Sequence, residues 1–277
     1  MKRAIYVGLV GALAVGAFYA AKYWPRPSPP APAPLAERAA PSPPAPPEGG
    51  TAEPAIAHPV RTEDGPRNPL PPLDQSDAYV GKALLELVGR KPVASFLNVD
   101  GFARRFVATV NNLGGESAAT ELWPVHPTGG RFETDKRGDQ LVIGPRNAER
   151  YAPFVRFVEG VDSRKAVATY VRLYPLLQRA YEDLGTPGRY FNDRVVAVIE
   201  ELLATPDVDE PVRVKAVAAD GGSPASGSAH LYLFDDPSLE SRTAGQKILL
   251  RVGRDNAKRL KAKLTEVRAL LLSQPAR

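Results

Sequence analysis

Residues Tyr170–Pro206 read YVRLYPLLQRAYEDLGTPGRYFNDRVVAVIEELLATP, two amphipathic segments joined by a polar turn. Apolar and aromatic residues recur at helical spacing through the first segment, which predicts a helix over Arg164–Leu184. Pro175 is expected to kink or divide that helix, because its ring crowds the carbonyl four residues earlier. After the Gly-Thr-Pro-Gly turn, the pattern predicts a second helix that begins at an Asn192 cap.

The rest of the C-terminal two thirds of the chain shows the same helical spacing with a few alternating runs. Helices are predicted from Asp74 or Ser76 to Gly89, from Val99 or Asp100 to Gly114, from an Asn147 cap to about Glu159, and from Ser241 to Ser273 with a break near Gly253. Short strands are predicted at 131–134 and 140–143, around a turn at 136–139, and at 212–216 and 230–234. Residues 74–273 therefore predict a globular domain that is mainly α with small β elements, an α+β fold.

The N-terminus carries an apolar run typical of a membrane anchor. Residues 4–21 are 18 consecutive uncharged residues, and as a helix of about 1.5 Å per residue they just match a hydrocarbon core of about 30 Å. A cleaved signal peptide would place Phe18 or Tyr19 where small residues are preferred. A buried helix would not need the long proline-rich connection that follows. We interpret residues 1–3 as a short basic segment and 4–21 as an uncleaved transmembrane anchor.

The orientation of this anchor is less strongly encoded. Basic residues on its two sides are almost balanced, so the positive-inside rule hardly discriminates. The very short basic start before the apolar run resembles that of exported proteins. We therefore expect a single-pass membrane protein with a cytoplasmic N-terminus and an exported domain, for which nucleic acid is not an expected partner.

A proline-rich linker separates the anchor from the domain. Of the 29 prolines in the chain, 17 lie between Pro25 and Pro72. Proline fixes φ and supplies no amide proton, so residues 22–73 are predicted to be extended, disordered and semi-rigid. The run is interpreted as a spacer, with a proline-motif ligand for a partner's groove as the alternative.

Composition excludes several classes of protein. The chain has 277 residues, 43% of them hydrophobic, which is incompatible with disorder throughout. It contains no cysteine and three scattered histidines, so disulfide scaffolds and thiolate or histidine-rich metal sites are not expected. The GxSxG, HExxH and GxxxxGK[ST] motifs do not occur. No catalytic residue, metal or cofactor is predicted.

Several segments in fixed order resemble one bacterial family. They are LPPLDQSDAYV (Leu70–Val80), FVATVNNLGG (Phe106–Gly115), NAERYAPF (Asn147–Phe154), the Tyr170–Pro206 stretch, and YLFDDPSLESRTAGQKILLRVG (Tyr232–Gly253). In this order they resemble the domain of unknown function 3014 family, over about Leu70 to Arg268. The resemblance implies a single-pass membrane protein with an anchor, a proline-rich tether and one domain. It implies no activity and no site residue.

The turn between the two central helices is the candidate ligand site. Tyr190, Asn192, Asp193 and Arg194 crowd polar groups into a few positions. They have two interpretations. In the structural one, Asn192 caps the helix and Asp193 lies in its first turn, near the positive helix end. In the functional one, these four residues form a ligand-binding turn.

Other clusters have simpler structural interpretations. Tyr170, Tyr174 and Tyr181 share an apolar stripe and are predicted to lie in the core rather than to form a stacking platform for a sugar or base. The pairs Glu182-Asp183 and Glu200-Glu201 are interpreted as surface carboxylates, because neighbours on a helix diverge by about 100°.

The C-terminal tail is strongly basic. Residues 247–268 carry eight Lys or Arg against two acidic residues. Arg254, Lys258 and Lys261 are candidates for contact with an anionic surface. The alternative is an ordinary solvated face, because basic residues flank both sides of an apolar stripe.

Together with the resemblance to a bacterial family, these features predict a periplasmic interaction or scaffold domain without catalytic activity, anchored to the bacterial inner membrane through residues 4–21. Its expected partner is an unidentified envelope protein or the cell wall. Two alternatives remain open: an envelope enzyme acting on cell-wall material, and binding of anionic surfaces by the C-terminal helix.

Overall fold

The computed structural model describes residues 56–61, 70–209, 211–217 and 232–273. All of them belong to one unit, Thr51–Arg277. The predicted anchor, 4–21, lies outside the described residues. Within those ranges, none of the helices has the length and apolar character needed to cross a membrane.

The described part is helix-rich with one small sheet, as predicted. Its helices are α1 (Asp77–Val88), α2 (Arg90–Phe96), α3 (Phe102–Leu113), α4 (Arg146–Gly160), α5 (Ser163–Asp183), α6 (Phe191–Leu203), α7 (Pro237–Glu240), α8 (Ala244–Arg251) and α9 (Arg254–Leu272). The strands are β1 (Thr134–Arg137), β2 (Gln140–Ile143), β3 (Arg213–Ala216) and β4 (Tyr232–Phe234). Helix α2 was not predicted.

The larger hydrophobic core lies among α1, α3, α5, α6 and α9. Most of its buried side chains come from the apolar stripes of α5 and α6, including Leu173, Leu177 and Phe191. Tyr174 and Tyr181 are 4% and 3% exposed, which confirms that the tyrosine stripe belongs to the core. Helix α9 packs against α4, α5 and α6 through its apolar side.

The four strands form one antiparallel sheet in the order β1-β2-β3-β4. The predicted pairing of the last two is confirmed, with Val214 opposite Phe234. The first hairpin also forms, but its first strand begins three residues later than predicted. The turn consists of two residues only, Gly138, with φ +60°, and Asp139. Residues 136 and 137, which were predicted to lie in the turn, therefore belong to the strand.

Helix α5 runs unbroken through Pro175, so the predicted division does not occur. Pro175 has no N–H, so it removes one backbone hydrogen bond, the one to the carbonyl of Val171. Pro175 lies on the exposed side of the helix. Solvent can satisfy the released carbonyl there, while Leu173, Tyr174 and Leu176 hold the opposite face in the core. The break at Gly253 is confirmed, and that residue has φ +92°.

Two predicted helix caps are wrong. Asn147 and Asn192 each occupy the second position of a helix, behind Pro145 and Tyr190 as caps, and both are 1% exposed. Their carboxamides point away from the helix ends and bond to other chain segments. Asn147 donates to the carbonyls of Glu133 and Gly144 and accepts from the N–H of Glu133. Local sequence favours a cap, but these buried amides instead satisfy their own hydrogen-bonding groups on the main chain or side chains of other segments.

Part of the segment predicted as linker belongs to the folded unit. Val60 is 9% exposed and lies in the larger core, where Leu70 and Leu73 also pack.

Candidate functional site

The turn between α5 and α6 is shaped by glycine and held by one glutamine. Gly185 and Gly188 have φ of +88° and +72°, a region that other residues rarely adopt. Gln178, on α5, accepts from the N–H of Phe191 at 2.8 Å and donates to the carbonyl of Arg189 at 2.9 Å. One carboxamide therefore fixes the backbone on both sides of Tyr190, the residue that precedes α6.

Three tyrosine rings form the wall beside this turn. The ring centroids of Tyr170 and Tyr174 lie 5.6 Å apart, and those of Tyr174 and Tyr190 lie 5.3 Å apart. The Tyr174 hydroxyl donates to Gln178 at 3.0 Å and accepts from the N–H of Asn192 at 3.2 Å. The Tyr170 hydroxyl donates to Oδ1 of Asn192 at 3.0 Å. This leaves the Nδ2 side of the Asn192 amide to donate outward.

Burial raises the pKa of the Tyr170 and Tyr174 phenols well above the ordinary value. Both hydroxyls therefore remain neutral donors over the physiological range. They fix the orientation of Asn192, and they act as positioning groups rather than as acids or bases.

A segment of the chain's own N-terminal region lies on this turn. We call Ala57–Val60 the strap, and we call the surface formed by Tyr170, Tyr174, Tyr190, Asn192 and Asp193 the groove. The N–H groups of Ala57 and His58 donate to the two carboxylate oxygens of Asp193, at 3.1 and 2.7 Å. The amide of Asn192 donates to the carbonyl of His58 at 2.8 Å.

The far end of the strap is held by a tyrosine. The hydroxyl of Tyr190 accepts from the N–H of Val60 at 2.8 Å and donates to the carbonyl of the same residue at 3.5 Å. The Val60 side chain enters the core. Every one of these hydrogen bonds joins a groove side chain to the main chain of the strap. The groove therefore recognises backbone, and Val60 is the one strap side chain that is buried.

The structure brings together three of the four residues predicted for this site. Arg194 lies elsewhere: its guanidinium donates to the carbonyl of Asn111 at 2.7 Å, near the C-terminal end of α3, and lies 3.8 Å from Glu201. A cation at a helix C-terminus is favourable for the helix dipole. Arg194 therefore holds α3 against α6 and does not contact the strap.

Sequence reasoning missed the strap altogether. The strap lies within the predicted linker, whose proline content conceals it. The available signal was the apolar Ile56 and Val60, spaced four apart in a run that is otherwise proline, alanine and polar residues.

The basic tail is largely engaged inside the domain. At least six of its eight cations contact described acidic groups, carbonyls or rings: Lys247, Arg251, Arg259, Lys261, Lys263 and Arg268. Lys261 donates to the carbonyl of Thr205 and lies 3.8 Å from Asp207. Together with Arg254 it lines a cavity of about 20 Å³, enough for roughly one water molecule. Lys258 is exposed.

The acidic pairs also have structural partners. Glu200 pairs with Arg268 at 2.5 Å, and Asp183 pairs with Arg104 at 2.9 Å. Asp236 caps α7 by accepting from the N–H of Ser238, and the hydrogen bonds from Ser238 lower the pKa of its carboxyl. Across the described ranges, no cluster of three or more His, Asp or Glu side chains could hold a metal ion.

The groove therefore offers a carboxylate, a carboxamide and a phenol, which suit binding of a peptide main chain. No curated protein and no solved structure matches the chain significantly. One family model matches residues 102–268, more than half of the chain, and begins later than the resemblance that starts at Leu70. The chain thus belongs to the family described as proteins of unknown function, DUF3014.

Proposed function

We propose that this protein is a membrane-tethered interaction domain of the bacterial cell envelope, and that its groove binds a short peptide segment of a partner protein. The observation that carries this proposal is the strap itself. Four consecutive residues, with a bend at Ala57 and His58, lie on the groove and bond to it through their backbone. A surface that holds one peptide segment by its main chain can hold another, because main-chain hydrogen bonds give affinity without requiring particular side chains.

The position of the groove relative to the family match supports the same proposal. All five groove residues fall inside the matched range 102–268, while the strap lies more than forty residues before it. The groove thus belongs to the part of the chain that defines the family, and its occupant does not. This arrangement favours the groove as the functional element and the strap as one of its ligands.

The anchor and the tether argue for the envelope. An apolar run at 4–21 followed by proline-rich chain is typical of a domain held away from a bilayer. A protein partner in the periplasm, or a protein associated with the cell wall, would lie within reach of such a domain.

Photo-crosslinking in living cells tests the proposal. A photoreactive amino acid replaces Arg189, which is exposed and directly precedes the groove residue Tyr190. Arg156, an exposed arginine on α4, provides the matched control position. We expect one identified envelope protein to be captured from position 189, not from 156, and to be lost when Asp193→Asn is added. Capture that is equal at both positions, or insensitive to Asp193→Asn, would contradict the proposal.

A compartment-dependent reporter fused after Arg277 tests the location separately. Activity on the outer side of the inner membrane is expected. Activity in the cytoplasm would reverse the orientation and would make cytosolic proteins the first candidate partners.

A further inference from the structure

We infer that the strap is a competing ligand in cis, and that the groove accepts partner segments that share its pattern: two residues with free N–H groups, then a tolerated proline, then a small aliphatic residue. This inference rests on the proposed function, because it specifies what the same groove binds and how binding is controlled.

The hydrogen bonds define which backbone groups a ligand must supply. The strap uses the N–H groups of Ala57, His58 and Val60 and the carbonyls of His58 and Val60. The third strap position is Pro59, which has no N–H to offer. A proline at this position leaves every observed bond intact, and its fixed φ reduces the entropy lost on binding.

Burial defines the side-chain preference. Ala57 and Pro59 are exposed and His58 is intermediate, so these positions tolerate variation. Val60 alone is buried, at 9% exposure, in the same cluster as Leu173 and Tyr174. A charged side chain at that position would lose its hydration without a partner, so the fourth position selects an aliphatic residue of similar size.

Chain connectivity makes the strap a regulator. A tethered ligand competes at an effective concentration in the millimolar range, so a free partner segment must exceed that level or bind more tightly. The strap also lies within the predicted linker, where the proline-rich run enters the folded unit that begins at Thr51. A partner that binds the linker near residue 56 would therefore compete with docking of the strap.

The full chain in mild detergent permits a direct test, because it has no cysteine and a single introduced one is unique. Ile56→Cys, at a position 54% exposed, carries a fluorophore whose anisotropy reports docking of the strap. The probe ligand is the acetylated, amidated peptide of residues 56–61, IAHPVR. We expect high anisotropy in the free protein and a fall as the peptide reaches millimolar concentration. The same peptide with aspartate in place of valine should have no effect.

A second variant removes the competitor without altering the groove. His58→Pro abolishes the N–H that bonds to Asp193 at 2.7 Å, so it releases the strap. A dye-labelled IAHPVR peptide should then bind at least about tenfold more tightly than to the parent chain. Adding Asp193→Asn to this variant should reverse most of that gain. Thermal unfolding and circular dichroism verify that each variant retains its fold.

The outcomes separate this inference from the proposed function. If the peptide does not displace the strap at about 10 mM and His58→Pro does not improve binding, the strap is a fixed part of the fold and the inference fails. If partner crosslinks at position 189 persist in that case, the interaction function stands by itself. A mobile label at position 56 in the free wild-type chain would also overturn the inference.

Discussion

The main-chain N–H of His58 donates to Oδ1 of Asp193 at 2.7 Å, although 135 positions separate these residues. The other carboxylate oxygen accepts from the preceding residue, so one side chain engages two consecutive backbone donors. Hydrogen bonds to an ionised acceptor are stronger than neutral ones. This contact therefore fixes the place where the N-terminal region joins the domain.

Replacing that carboxylate should loosen the strap measurably. In Asp193→Asn one of the two acceptor oxygens becomes an NH₂ group, which cannot accept from a backbone N–H. We expect a loss of about 1.5–3 kcal/mol in the free energy that holds the strap. Urea denaturation measures the change in the total unfolding free energy. The anisotropy of a label at position 56 reports the release of the strap directly.

Asp183→Asn is the matched control, because Asp183 lies at the end of the neighbouring helix and pairs with the exposed Arg104. Such a surface pair contributes about 0–1 kcal/mol. If Asp193→Asn costs no more stability than Asp183→Asn and leaves the label at position 56 immobile, the strap does not depend on Asp193.

Local periodicity predicted most of the fold because the helices bury continuous stripes. The stripe from Val167 to Tyr181 and the break at Gly253 depend only on neighbours in sequence, and both are found. Helix α2 was missed because none of its residues is fully buried. Its seven residues carry no stripe for periodicity to detect.

The site depends on contacts that sequence spacing does not encode. Tyr190, Asn192 and Asp193 were recognised as polar groups in a turn, but their ligand lies about 130 positions away. Asn192 shows the difference most clearly. A polar residue at a helix start usually caps it, whereas here the amide is buried, oriented by Tyr170, and directed at the strap.

The buried tyrosines predict a loss of stability at high pH. Burial raises the pKa of Tyr170 and Tyr174 in the folded state, so the folded protein retains protons that the unfolded chain releases above about pH 10. Their contribution is complete below that pH and is lost as pH rises toward the folded values. Each tyrosine should lower the unfolding free energy by about 1.4 kcal/mol per pH unit in that window.

Tyr170→Phe isolates one of these contributions. The variant should be less stable than wild type near pH 8, where it lacks the hydrogen bond to Asn192. Its stability should then fall less steeply between about pH 10 and 11, because one proton fewer is released on unfolding. Urea denaturation at several pH values gives both slopes, and tyrosinate absorbance follows ionisation. Parallel slopes for variant and wild type would exclude Tyr170 as a source of the loss.

Helix α8 should not tolerate a side chain at Gly245. A Cβ there would lie 2.6 Å from a methyl group of Leu202 and 3.0 Å from the carbonyl oxygen of Leu113. The adjacent Ala244 also bonds to Gly115 at 2.7 Å, which prevents the helix from shifting. Gly245→Ala should therefore destabilise the domain by about 1–3 kcal/mol, measured by urea denaturation.

Gly81→Ala should change the stability in the opposite direction, and it serves as the control. Gly81 lies inside α1 without a positive φ, and a Cβ added there would meet no heavy atom within 4 Å. Alanine there should raise stability by about 0.5–1 kcal/mol, because glycine costs more backbone entropy in a helix. Equal effects of the two substitutions would contradict the close packing of α8 against α3 and α6.

Substitutions of two lysines of α9 distinguish a structural role of the basic tail from binding of an anionic surface. The Lys261 side chain is 19% exposed, donates to the carbonyl of Thr205 and lies near Asp207, whereas Lys258 is exposed. Lys261→Gln should lower the unfolding free energy by about 1–2 kcal/mol, and Lys258→Gln should change it by less than about 0.5 kcal/mol. Because the predicted anchor would bind the full chain to any vesicle, the measured quantity is the excess flotation with anionic over zwitterionic vesicles, which should be equally small for both variants. Salt-sensitive vesicle binding that Lys258→Gln abolishes, with stability unchanged, would instead assign the exposed side of α9 to an anionic surface.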